Sequence, residues 1–251
     1  MAMNLGAYLD RIRFVQPLRT DAATLRALHR AHMLSVPFEN LDIHAGRRIE
    51  LSLPRLYDKI VRRRRGGFCY ELNGLFAWAL SEMGFWVQLH SARVCGADGP
   101  GAEFDHLVLQ VFAERNWLVD VGFGDSFLEP LRLEEGAISE QQSIGYRLSQ
   151  SDNDWTLHRR DPDGDWQRQY LFTLVPRSLS DFDARCAWHQ TDPRSHFTRN
   201  RICTLPTENG RITLSGMRLI TTRNGVRDER ELDRAEYSAM LNDRFGIAPG
   251  P

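Results

Sequence analysis

The segment Arg65-Gly66-Gly67-Phe68-Cys69-Tyr70-Glu71-Leu72-Asn73 sets a cysteine where a glycine turn gives way to an apolar helical run. A thiol at a helix start lies in the positive potential of unpaired backbone N–H groups. That potential favours the thiolate, the form that attacks carbonyl carbon. Two later segments each hold a catalytic-type residue in a strand-like apolar run: Asp105-His106-Leu107-Val108 and Leu118-Val119-Asp120-Val121-Gly122-Phe123-Gly124. Cysteine, histidine and aspartate in that chain order suit a nucleophilic triad, in which an imidazole takes the thiol proton and a carboxylate orients the imidazole.

Each of these residues also has a plain structural reading. Free cysteines are among the most buried residue types and mostly serve as inert packing. Gly66-Gly67 favours chemistry at Cys69, because glycines allow close approach of backbone or ligand and otherwise cost chain entropy. Cys95, Cys186 and Cys203 lack such a setting and read as structural. His106 follows a glycine-rich loop (Gly96, Gly99, Gly101) and begins an apolar strand, which puts its imidazole at a sheet end. His29 and His32 have a helical spacing that could ligate a metal, but no third ligand is evident, so both read as satisfied or surface residues. His44, His90, His158, His189 and His196 have no distinguishing context. Asp120 ends an apolar run. It is either a turn residue or a buried acid that needs a charged or donating partner, which His106 on a neighbouring antiparallel strand would supply.

Other machinery is missing from the sequence. There is no Walker loop and no G-x-S-x-G, and Gly122-Phe123-Gly124 continues to Phe127 where a dinucleotide fingerprint needs glycine. Arg62 to Arg65 reads as a solvated helix end, with one arginine available to Glu39 in Pro37-Phe38-Glu39-Asn40-Leu41. A net charge of -1 gives no reason to expect nucleic-acid or anionic-membrane binding. No stretch is long and apolar enough to span a bilayer. Met1 to Leu9 lacks the pattern of a secretory signal, and four scattered cysteines without C-x-x-C spacing suit reduced thiols in the cytoplasm.

The elements that must position these residues change period along the chain. Asn4 caps a first helix with Leu5, Tyr8, Leu9 and Ile12 on one face, and Thr20 or Asp21 caps a second. Ser52 and Pro54 open a third, which runs into the arginines, and a fourth runs from near Cys69 to Gly84. Alternation then predicts strands at 85–94, 106–112 and 116–121, followed by a hairpin with 155–159 and 166–174 around Asp163-Gly164. A helix from Ser180 to about Trp188 precedes strands near 202–205, 211–214 and 217–222, and a helix over 233–245 closes the chain. The plan is α+β: helices over 1–84, an antiparallel sheet or barrel over 85–190 and a small α/β piece over 191–251.

Four motifs together resemble the arylamine N-acetyltransferases: the segments around Glu39, around Cys69, at His106-Leu107-Val108 and at Val119-Asp120-Val121-Gly122-Phe123-Gly124, in the family's order. The resemblance implies an N-terminal helical bundle, a central antiparallel β-barrel and a C-terminal α/β lid, with a core similar to papain-like and transglutaminase-like thiol enzymes. It implies that Cys69 accepts the acyl group, His106 is the base and Asp120 orients it. Glu39 and Arg65 match the family's structural ion pair. Phe38, Phe68, Phe123 and Phe197 correspond to the aromatic acceptor pocket, and Gly124, Ser126 and Phe104 to the coenzyme A site. The implied reaction is a ping-pong transfer from acetyl-CoA, as cosubstrate, to arylamines, arylhydrazines or hydrazides. It involves no metal, and the enzyme acts as a monomer or homodimer.

Two departures bear on the acyl donor. Asp125-Ser126-Phe127-Leu128-Glu129-Pro130 stands where many relatives have a further glycine and prolines, and an aspartate there is expected to disfavour the coenzyme A phosphates. Against the family the C-terminus is short, and a truncated lid with a more open cleft is expected from that. Three other readings use the same residues. They are an amide synthase that releases a polyketide thioester onto an aromatic amine, a thiol hydrolase or transglutaminase-like enzyme, and a binding module with an inert Cys69.

Overall fold

Asn4 accepts the N–H of Ala7 at 2.8 Å and Asp21 that of Thr24 at 2.8 Å, capping α1 (Leu5–Arg11) and α2 (Ala22–Ser35) in a computed structural model that describes residues 2–248. A two-residue strand, β1 (Phe38–Glu39), and a single turn, α3 (Leu41–His44), follow. The expected third helix is split: α4 (Leu53–Tyr57) widens into a π turn over Asp58–Arg62, where Lys59 turns inward onto Asp42 and Glu71. Next comes α5 (Cys69–Glu82), whose Leu72, Leu75, Phe76, Ala79 and Leu80 are all fully buried. A helix apolar on every face belongs at the centre of the core, and α5 lies there. Gly74 permits this, since a Cβ on it would stand 3.1 Å from Leu179 and 3.3 Å from Leu56.

The middle of the chain forms one antiparallel sheet. Its strands are β2 (Trp86–Gly96), β3 (Gly99–Pro100), β4 (His106–Ala113), β5 (Arg115–Val119), β6 (Leu131–Arg132), β7 (Ile138–Gln141), β8 (Ile144–Ser151), β9 (Asp154–Arg160) and β10 (Gln167–Thr173). The order is β6-β5-β4-β2-β10-β9-β8-β7, with β3 hairpinned onto β2, and the sheet curls into a nearly closed barrel. Alternation along β4 sends Val108 into the barrel core beside Leu118, Tyr146 and Tyr170, and Leu107, Leu109 and Val111 toward the helices. β4 is thus buried on both faces and joins the two cores.

After a 3₁₀ turn (Leu179–Phe182) come α6 (Asp183–Thr191) and α7 (His196–Arg199). A second antiparallel sheet then builds from β11 (Ile202–Thr207), β12 (Gly210–Ser215), β13 (Arg218–Arg223) and β14 (Val226–Glu231). It is covered by α8 (Arg234–Phe245), which buries Tyr237, Leu241 and Phe245 against Cys203, Ile212 and Leu214. The sheet order is β1-β11-β12-β13-β14, so its first strand comes from the N-terminal segment, across the boundary drawn at 190/191. Phe38 pairs with Thr204 and also bridges to Gly67, which ties the turn before Cys69 to the C-terminal sheet.

Candidate active site

Cys69 is the first residue of α5, and its setting explains the glycines before it. A Cβ on Gly66 would land on the Pro37 carbonyl oxygen, and one on Gly67 would stand 2.8 Å from the Glu71 carboxylate. Gly122 meets Cys69 from the other side, where a Cβ would stand 2.8 Å from Cys69 Cα and 2.7 Å from Asn73 Nδ2. The loop after β5 therefore lies directly on the start of α5.

His106 opens β4 and Asp120 follows β5, its antiparallel neighbour. His106 Nε2 lies 2.8 Å from Asp120 Oδ2, which also accepts the Tyr170 hydroxyl at 3.1 Å. Oδ1 accepts Asn73 Nδ2 and the Gly122 N–H, both at 2.9 Å. Burial raises the Asp120 pKa, but the His106 charge and hydrogen bond, with those of Asn73 and Gly122, outweigh it and hold the carboxyl below its ordinary value. Asp120 is therefore an anion at neutral pH. With Nε2 engaged on it, Nδ1 is the imidazole nitrogen left to take a proton from the cleft.

The thiol itself departs from the simple helix-start argument. Burial pushes the Cys69 pKa well up, the fields of Cys186 and Asp120 act the same way, and the Tyr70 N–H opposes them. Burial thus opposes the helix-start field at Cys69.

Beneath Cys69 is a buried ionic network. Glu39 accepts Arg65 Nη2 at 2.9 Å, Arg65 Nε at 3.1 Å and the Leu41 N–H at 2.7 Å. Arg65 also reaches Asp42 at 3.2 Å, and Lys59 joins Asp42 and Glu71, each at 2.9 Å. Burial works against the Lys59 charge, but Glu71, Glu39 and Asp42 override it and raise its pKa. Glu71 then accepts the Phe68 N–H at 3.1 Å, so the network fixes the turn that presents Cys69.

A cleft of about 730 Å³ opens above these residues, lined by Cys69, His106, Phe38, Phe123, Phe197 and Gly124 among others. Phe68, Phe104 and Ser126 lie outside its lining. Phe68 is fully buried, edge-on to Tyr70 at 5.1 Å and to Phe197 at 5.6 Å. Phe104 packs on Phe182 at 5.2 Å beneath the Arg177 guanidinium, and Ser126 is buried with its hydroxyl unpartnered. Asp125 lines the cleft but is not a bare negative charge. Arg211 Nε and Arg159 Nη1 hold its two oxygens, each at 3.0 Å, so the expected repulsion of phosphates is offset by two arginines.

Sequence reading missed Asn73, Tyr170, Lys59, Glu71, Arg159 and Arg211. Only Asn73 carried a local signal, four residues after Cys69 and so on the same helix face. His29 and His32 diverge into the core: His29 Nδ1 lies 2.7 Å from the Leu128 carbonyl and His32 Nδ1 2.7 Å from the Tyr8 hydroxyl. Among the described residues no cluster of His, Cys, Asp or Glu could hold a metal ion, and no helix is long and apolar enough to cross a membrane.

The chain matches the N-acetyltransferase family model over residues 21–249. It is 40% identical to an arylamine N-acetyltransferase of Mycolicibacterium smegmatis, with 100% of this chain and 94% of that protein covered. Its fold matches the arylamine N-acetyltransferase of Salmonella typhimurium at a TM-score of 0.92 and 32% identity, over 100% of this chain and 94% of that one. It also matches the Mycobacterium marinum arylamine N-acetyltransferase in complex with CoA, at a TM-score of 0.89 and 36% identity, over 97% and 93% of the two chains. A cysteine at a glycine turn, an imidazole on a buried carboxylate and an aromatic cleft thus sit on a fold shared with these acyltransferases, and the chain belongs to the arylamine N-acetyltransferase family.

Proposed function

We propose that this protein transfers an acetyl group from acetyl-CoA to the primary nitrogen of an arylamine, arylhydrazine or hydrazide, through an acetyl-Cys69 intermediate. The observation that carries the reading is a single cleft lined by Cys69 and His106, with His106 Nε2 fixed on the buried Asp120 carboxylate. His106 Nδ1 takes the Cys69 proton, and Asp120 stabilises the imidazolium. The thiolate adds to the thioester carbonyl, and the tetrahedral intermediate collapses as the carbon–sulfur bond to coenzyme A breaks. The departing thiolate takes its proton from His106. An amine then adds to acetyl-Cys69, His106 accepts a proton from its nitrogen, and expulsion of the Cys69 thiolate leaves the amide. Exchange of one thioester for another is nearly balanced, so amide formation drives turnover.

In this reading segment 1–84 supplies the nucleophile, 85–190 the base and its orienter, and 191–251 the third wall. Phe38, Phe123 and Phe197 offer apolar faces to the acceptor ring, and Arg211 lines the Gly124 wall, where Asp125 is neutralised by its ion pairs with Arg211 and Arg159. Free Cys69, Cys95, Cys186 and Cys203 fit a reducing, cytoplasmic setting. The test is intact-protein mass spectrometry after mixing with acetyl-CoA. One acetyl group should be gained, cleared by 5-aminosalicylate, and never acquired by Cys69→Ser. Wild-type protein that stays unmodified would overturn the reading.

A further inference from the structure

Asn73 sits one turn along α5 from Cys69 and is fully buried. Its amide makes three hydrogen bonds. Nδ2 donates to the Leu107 carbonyl at 2.7 Å and to Asp120 Oδ1 at 2.9 Å, and Oδ1 accepts the Val121 N–H at 2.9 Å. The partners fix which end of the amide is which, since a carbonyl only accepts and a backbone N–H only donates. Both hydrogens of Nδ2 are therefore engaged, and turning the amide over would break all three bonds. Leu107 follows His106 on β4, and Val121 follows Asp120. One side chain on the helix of Cys69 thus binds both the strand of the imidazole and the loop of the carboxylate. An amide is the group that fits. A carboxylate has no hydrogen to give Asp120, and a hydrocarbon of the same size could make none of the three bonds.

We propose that Asn73 is a positioning residue for acyl transfer, which registers the Cys69 helix on the His106 strand and fixes the plane of the Asp120 carboxylate. The inference rests on the acetyl-transfer reading above and adds to it the residue that holds the three elements in one frame. Asp120 Oδ2 takes His106 Nε2 and the Tyr170 hydroxyl, so the carboxylate is aimed from its other oxygen, by Asn73 and the Gly122 N–H. Without the amide, Oδ1 keeps the Gly122 N–H, a group of its own loop, and the carboxylate loses this tie to α5. His106 would still meet Asp120, but the pair would be free to drift from the thiol, and proton transfer depends steeply on that separation.

Two variants and two reagents separate the idea from a packing role. Asn73→Leu fills a similar volume without a polar atom, and Asn73→Asp keeps the shape but sets a second carboxyl against Asp120. Iodoacetamide alkylation reads the reactivity of Cys69 without an acyl donor, and stopped-flow mixing with acetyl-CoA reads acetyl-enzyme formation. Asn73→Leu should slow both by about 10- to 100-fold, the loss expected for one hydrogen bond to a charged group, with coenzyme A affinity within about twofold. In Asn73→Asp the two carboxyls share one proton, held on the substituted side chain because His106, Tyr170 and Gly122 keep Asp120 ionised. That neutral form still donates to Asp120, so the variant's rate relative to wild type should fall about tenfold or more between about pH 6 and pH 9. Wild-type rates in Asn73→Leu, or a rate ratio for Asn73→Asp that is flat with pH, would overturn the assignment. If Asn73→Leu fails to fold, the Asn73→Asp profile decides. Wild type that is alkylated but never acetylated defeats the transfer reading instead, and the alkylation rates then still judge Asn73.

Discussion

Replacing His29 by Gln isolates the cost of keeping a fully buried imidazole neutral. His29 accepts the Asp120 backbone N–H at Nε2 (3.3 Å) and donates from Nδ1 to the Leu128 carbonyl (2.7 Å), a pairing open only to the uncharged ring. Burial pushes its pKa down from 6.5 to about 4, against the raising pull of the Leu128 carbonyl and Asp120. Because the folded pKa lies below the unfolded one, the unfolded chain binds the proton first. The contribution to stability is complete above the unfolded pKa, falls as pH drops through the window toward the folded pKa, and is level below it. At 1.36 kcal/mol per pKa unit the whole window is worth about 3 kcal/mol, of which about 2 kcal/mol is lost between roughly pH 7 and pH 5. Glutamine can make the same two hydrogen bonds without titrating. Urea denaturation at the two pH values should show wild type losing about 2 kcal/mol more than His29→Gln. The His32 pKa is held well below 6.5 first by burial, which both proteins share, and only secondarily by the field of His29, so most of the difference belongs to His29. Equal losses would refute the argument that His29 is held neutral by its surroundings.

Asp120→Asn should leave coenzyme A binding nearly intact and lower the rate of acetyl-enzyme formation by about 10³–10⁴-fold, since the amide no longer holds the imidazole tautomer or its positive charge; a loss below about tenfold in rapid-mixing kinetics counts against the triad. Lys59→Met removes the cation that joins Asp42 and Glu71, each at 2.9 Å, and should cost about 3–5 kcal/mol, read as a lower midpoint in denaturant. Gly122→Ala drives a methyl to 2.8 Å from Cys69 Cα, so it should slow iodoacetamide alkylation of Cys69 as well as turnover; an alkylation rate equal to wild type would show that the loop shifts without moving the thiol.

The layout of the site was legible where local pattern and burial agree. Alternation around His106 and Asp120 implied two strands and left their adjacency open; β4 and β5 are paired, and Asp120, just past the end of β5, lies 2.8 Å from His106. The family architecture was legible from four motifs, all of which lie between Pro37 and Gly124. Polar edge strands were not: β7 (Ile-Ser-Glu-Gln) and β14 (Val-Arg-Asp-Glu-Arg-Glu) bury too little to stand out from loop, and β14 is exposed throughout. The π turn at Asp58–Arg62 was hidden too, because apolar spacing cannot tell it from a continuing helix. Among the site residues, Tyr170 and Lys59 reach Asp120 and Glu71 only through tertiary contacts, and no window of sequence around either one signals a polar partner. The thiol's raised pKa was missed for a similar reason. The helix start is a local feature, but burial is a property of the whole fold.

The pairing of β1 with β11 has a consequence for when the enzyme can become active. Phe38 and Glu39 pair with Gly67 nearby but find their antiparallel strand partners at Thr204 and Cys203, and Asn40 donates to the carbonyls of Phe197 and Asn200. The turn that presents Cys69 is bridged to Phe38, so its final support lies far downstream in the order of synthesis. During translation the nucleophile helix emerges long before the residues that complete its surroundings, and pairing over such a sequence separation is slow to close. A chain that stalls before its last sheet therefore carries Cys69 without the strand that backs Phe38 and Glu39.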